Sequence, residues 1–155
     1  MGGPRPDQFA AAGNYSITIN GGTVLVTADG DGIDANGSVT MTNGTVVVQG
    51  PTANMNGAID YDGTFVISGG TLVAAGSAGM AQAPTASSPQ ASLLVKFGAV
   101  QKAGTLVRIQ AADGTPIVTF DASKAMQALV VSSKAITKDG SYDVFVGGSS
   151  TGTKL

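Results

Sequence analysis

Ile17-Thr18-Ile19-Asn20-Gly21-Gly22-Thr23-Val24-Leu25-Val26 recurs 22 residues later as Val39-Thr40-Met41-Thr42-Asn43-Gly44-Thr45-Val46-Val47-Val48, and 26 residues after that as Phe65-Val66-Ile67-Ser68-Gly69-Gly70-Thr71-Leu72-Val73-Ala74. Each unit is an alternating strand, a glycine-containing corner followed by Thr, and a second short strand. That is the material of one coil of a solenoid, which must turn a corner and continue in the same sense. A meander of hairpins would also accommodate Gly-Gly and Asn-Gly turns, but hairpins do not demand the same side chains at a fixed long period, whereas stacked coils do.

A second repeated feature lies between these units. Ile33-Asp34-Ala35-Asn36-Gly37-Ser38 aligns with Ile59-Asp60-Tyr61-Asp62-Gly63-Thr64 at the same spacing as the later pair of repeats. If the units stack, these segments sit one above the other at the strand spacing of about 4.8 Å, and carboxylates share one edge.

Working outward, residues 1–13 are rich in Gly, Pro and Ala and read as a leader or frayed end. Residues 14–80 hold the coils and 81–91 read as a linker rich in Ala, Ser and Pro. Residues 92–148 change texture, with strand candidates at 92–97, 105–110, 116–120, 128–132 and 141–146 joined by Asp113-Gly114 and Asp139-Gly140 turns, and 149–155 form a tail. One helical turn is expected over 121–127, with Asp121 as its N-cap. The expectation is an all-β chain: a short right-handed parallel β-helix of about three coils, closed at its C-terminal end by a small β-sandwich-like cap.

Composition agrees with this and narrows the chemistry. The chain has 155 residues, 43 % of them hydrophobic and only 12 % charged, with 23 Gly and no Cys, His or Trp. Disulfides and thiol chemistry are excluded, and soft and borderline metals lose their usual thiolate and imidazole ligands. No Glu occurs, and between Asp7 and Val95 the only charged residues are Asp7, Asp29, Asp31, Asp34, Asp60 and Asp62. An uncompensated acidic half suits hard cations, and no nucleic acid partner is expected. No apolar run approaches the roughly 18 residues of a membrane span, and the start carries no secretory signal pattern.

Asp29-Gly30-Asp31-Gly32-Ile33-Asp34-Ala35-Asn36-Gly37 places oxygen-bearing side chains between glycines, as a calcium site requires. It does not recur every nine residues, which separates it from calcium-binding β-rolls. Asp29, Asp31, Asp34, Asn36, Asp60 and Asp62 are the candidate metal ligands, although Asp and Asn also occur in such turns simply because they make Asx turns and tolerate left-handed backbone. Tyr61, flanked by Asp60 and Asp62, is a candidate for stacking on a sugar, or else a tyrosine on a solvent-facing turn. No catalytic residues are assigned, since the repeats contain no Lys, Arg or His to abstract a proton.

The stretches Gly30 to Ser38, Gly57 to Gly63 and Gly69 to Gln82 resemble, in this order, a carbohydrate-binding domain family of bacterial surface proteins with a right-handed parallel β-helix, first described as a domain of unknown function. The likeness covers about residues 17–148. It implies calcium ions along the helix, with Asp31, Asp34, Asn36, Asp60 and Asp62 as ligands, affinity for polygalacturonate and no catalysis. It also implies a secreted or cell-surface location. Two functions follow from the sequence: a binding module for acidic polysaccharide, or a structural subunit stacking end to end into a calcium-stiffened filament.

Overall fold

A computed structural model describes residues 13–148 and the backbone of 153–154. The chain is all-β, with no helix among the described residues. Hence none is long and apolar enough to cross a membrane.

The repeats form strands β1 (Ser16–Thr27), β3 (Ser38–Gln49), β5 (Phe65–Ile67) and β6 (Thr71–Gly76), with the short β2 (Ile33–Ala35) and β4 (Ile59–Tyr61) between them. All pairings among these strands are parallel. β1 runs beside β3 with Ile17 opposite Val39 and Val24 opposite Val46. β3 continues against β5, with Val39 opposite Phe65, and against β6, with Val46 opposite Leu72. β2 and β4 make a separate two-stranded sheet. The sequence repeat is therefore a spatial register.

Period-two alternation explains which side chains enter the core. Val39, Met41, Val46 and Val48 of β3 are fully buried while Thr40, Thr42 and Thr45 face outward. They join Ile33, Ile59, Phe65, Ile67 and Leu72 in one cluster between the β2–β4 pair and the larger sheet. At the corner of each repeat the chain turns through a glycine of positive φ, +77° at Gly22, +98° at Gly44 and +86° at Gly70.

The C-terminal region holds β7 (Ser92–Gln101), β8 (Leu106–Ala111), β9 (Pro116–Asp121), β10 (Met126–Ser132) and β11 (Tyr142–Val146), with the backbone of β12 at Thr153–Lys154. These strands are not set apart from the repeats. β10 pairs antiparallel with β6, and β7 pairs antiparallel with β10, so both extend the repeats' sheet in the order β1-β3-β6-β10-β7. The remaining strands form an antiparallel sheet, β12-β11-β8-β9, which covers the extended sheet's outer face through Val107, Ile109 and Phe120. β6 and β10 are consequently buried on both faces. Leu72, Ala74 and Val130 point into the first core, whereas Val73, Ala75, Leu129 and Val131 point into the second.

The helical turn expected over 121–127 is absent: β9 runs through Asp121, a bend follows, and β10 begins at Met126. Tertiary partners override the local preference. The Asp121 carbonyl accepts from the Gln49 side-chain amide at 3.1 Å, and the Ser123 N–H donates back to Gln49 Oε1 at 3.1 Å. Residues 81–91 lie along the repeats. The N–H groups of Thr85 and Gln90 donate to the Phe65 and Ile67 carbonyls. The side-chain oxygens of Thr85 and Ser88 accept from the Phe65 and Ile67 N–H groups. Gln90, itself buried, donates to the Gly70 carbonyl and to Ser132. The backbone edge of β5 is thus satisfied without a further strand.

Candidate functional site

The β2–β4 pair brings the acidic residues together. Asp34 and Asp60 are direct neighbours in the parallel register, next to Ile33 opposite Ile59 and Ala35 opposite Tyr61. Strand alternation sends the flanking Ile33 and Ile59 inward and leaves Asp34 exposed and Asp60 half-buried on the other face. Asp62 is exposed and is held by its own N–H, which donates to the Ala35 carbonyl at 3.1 Å. Asp31 ties two repeats together, its Oδ1 accepting from the Gly57 N–H at 2.8 Å.

Burial pushes the Asp60 carboxyl above the ordinary carboxylate range, and the charges of Asp31, Asp34 and Asp62 push it further the same way. No basic side chain among the described residues offsets them at Asp60. Three carboxylates therefore act on that of Asp60. The donors are carboxylate and carbonyl oxygens, the type that a hard cation takes. Among the described residues, however, no three acidic groups converge closely enough to hold a metal ion by themselves. A cation here would be held by fewer protein carboxylates, with water or ligand oxygens completing its shell.

Asn36 sits level with Asp62 of the next repeat, because the Asp62 and Gly63 N–H groups donate to the Ala35 and Gly37 carbonyls on either side of it, whereas Asp29 is engaged elsewhere. Asn36 is exposed, and its carbonyl accepts from the Gly13 N–H at 2.8 Å. Asp29 pairs with Lys124, Nζ to Oδ1 2.7 Å, while the same ammonium also donates to the Ala28 carbonyl. The Lys124 hydrogen bond and charge hold the Asp29 carboxyl below its ordinary range. A cation is thus already supplied to Asp29 from 95 residues away. The N-terminal half offered no sign of this partner.

Tyr61 is turned toward the protein. It shares a strand face with Ile59, its ring meets Phe65 edge-on at 6.0 Å between centroids, and it packs against the first core. Its hydroxyl donates to the Ala83 carbonyl at 2.7 Å, and its N–H donates to Gln82 Oε1 at 3.1 Å. The ring is half-buried and its hydroxyl is engaged within the protein. The signal was in the sequence: in Ile59-Asp60-Tyr61 period two assigns Tyr61 to the side of Ile59. Comparisons of the chain with protein-family models, curated proteins and solved structures find no match.

Proposed function

We propose that the chain is a non-catalytic, secreted or cell-surface bacterial module that binds calcium and, through it, acidic polysaccharide of the polygalacturonate type. In this reading residues 14–80 form about three coils of a right-handed parallel β-helix, and 92–148 close its end. The supporting observation is the group Asp31, Asp34, Asp60 and Asp62, whose repulsion at Asp60 is relieved by no basic side chain among the described residues. Like charges stacked on neighbouring strands are unfavourable unless a cation or a proton relieves them. Because these groups do not form a complete cage, uronate carboxylates from the ligand would supply the missing oxygens. Asp60 and Asp62 are the residues that would face such a ligand, while Tyr61 supports their strand from inside.

End-to-end stacking into a filament, the alternative function, requires an open parallel edge at both ends of the sheet. The end beyond β6 is taken by antiparallel β10 and β7, so this alternative has less support.

The test is a thermal melt in EDTA and in millimolar calcium, paired with affinity electrophoresis in polygalacturonate. Calcium at a hundredfold excess over its dissociation constant should stabilise by about 2.7 kcal/mol. It should also strengthen retention in the gel, and D60N/D62N should lose both increments. Identical melts and identical mobilities in EDTA and calcium would dismiss the proposal, and release of reducing or unsaturated sugar by the pure protein would dismiss its non-catalytic part.

A further inference from the structure

Residues 83–91 also border a groove in which no acidic side chain is among the lining. Two adjoining cavities, of about 370 and 300 Å3, share Gln90, Ala91, Thr137 and Lys138 as lining and together make one groove. One wall is the segment Ala83 to Leu94; the other is the loop from Lys134 to Gly140.

Both walls are fixed before any ligand arrives. The first is held by the bonds of Thr85 and Gln90 to β5. The loop is anchored by buried Ile136, whose N–H donates to the Ser133 carbonyl at 3.1 Å. It is closed by the Thr137 N–H donating to the Tyr142 hydroxyl at 2.7 Å and by Gly140 N–H donating to the Thr137 carbonyl. This loop presents Lys134 and Lys138, both exposed and neither in a hydrogen bond or ion pair among the described residues. Asp139 follows on the same loop, so the loop carries one net positive charge. The Ser92 hydroxyl in the groove lining is shielded from water and has no partner among the described residues.

The lining is chemically mixed: two ammonium groups, small hydroxyls and an amide, with exposed Pro89 and partly exposed Leu93 adding apolar surface. No aromatic side chain lines it, which disfavours a nucleobase, and it has no deep apolar pit in which a peptide side chain would anchor. A run of carboxylated pyranoses offers what such a lining recognises: a carboxylate for each lysine, hydroxyls for Thr137 and Gln90, and an apolar ring face for Pro89. We infer that the groove between residues 83–94 and 134–140 is a second, calcium-independent subsite for uronate-bearing saccharide. The inference rests on the ligand class proposed above and places direct contact on the loop that carries Lys134 and Lys138.

The two are separable by experiment. In affinity gels containing polygalacturonate and excess EDTA, the acidic face is silent and the groove alone is read. Wild type should be retarded there, in a manner relieved by salt. K134Q/K138Q, altered only at exposed side chains, should weaken that retention roughly tenfold, the scale of two exposed ion pairs. K96Q/K102Q, which removes two exposed charges elsewhere, should change it less than about twofold. Equal losses in the two double variants would mean attraction by net charge alone and would overturn the subsite, as would no retardation of wild type in EDTA. Equal retention by polyglutamate would overturn the saccharide assignment. The increment gained on adding calcium, and its loss in D60N/D62N, reports separately on the acidic face.

Discussion

Replacing Gly44 by Ala isolates what the stacking of corners contributes. The residue has φ +98°, where an L side chain costs about 1–2 kcal/mol. Its added Cβ would also lie 2.9 Å from the carbonyl carbon of Gly21 and 2.9 Å from the carbonyl oxygen of Gly22, backbone atoms of the neighbouring repeat that cannot swing aside. Loss of unfolded-state freedom returns about 0.4–1 kcal/mol. Shifting one corner off another adds a cost of the order seen for overpacking, about 1–3 kcal/mol. The net destabilisation is about 2–3 kcal/mol, which in a chain of this size lowers Tm by roughly 5–10 °C. Gly22 provides the control. It has φ +77° in the same motif, yet its added Cβ meets nothing within 4 Å. Gly22→Ala should therefore cost only about 0.5–1 kcal/mol, the left-handed penalty less the unfolded-state gain. Urea or thermal unfolding of the two single variants decides it. Equal destabilisation at the two positions would refute the stacked-corner explanation and leave backbone conformation as the only cause.

Asp60→Asn, measured in EDTA, should stabilise the protein at neutral pH by about 0.5 kcal/mol once solvent screening of this partly exposed group is allowed for. The sign follows from linkage: a carboxyl whose folded pKa is raised destabilises the fold above that pKa, and the penalty fades as pH falls through it. The gap between wild type and variant should therefore close in mildly acidic buffer, and a gap that widens there would contradict the raised pKa. Tyr61→Phe removes the hydroxyl that donates to Ala83 and should cost about 1 kcal/mol of stability without changing polygalacturonate retention in calcium. A selective loss of retention with Tm unchanged would restore Tyr61 as a sugar contact.

Much of the fold was legible because its information is periodic. The spacing of Ile17, Val39 and Phe65 is the register in which their strands pair, and the alignment of Asp34 with Asp60 is a contact between neighbouring strands. What escaped was non-local. Nothing near Met126 to Ser132 announces that this strand will insert between β6 and β7, since its apolar run suits any doubly buried strand. Residues 81–91 resemble a linker by composition, yet the small hydroxyls of Thr85 and Ser88 are what bind the edge of β5. Asp29 was grouped with its acidic neighbours by proximity in sequence, and only the folded chain reveals Lys124 beside it.

The double burial of β6 also gives the molecule a direction of growth. A duplicated copy of Ser38–Gln49 inserted ahead of β3 would meet parallel neighbours on both sides and keep its threonines in solvent. The same copy placed after β6 would have to separate β6 from β10 and would set a Gln49 equivalent into the second core, in the phase where Ala75 now sits. Lineages that lengthen this architecture by tandem duplication should accordingly add units on the N-terminal side. Their last unit should remain apolar in both phases of the alternation, as Thr71–Gly76 is, however many units precede it.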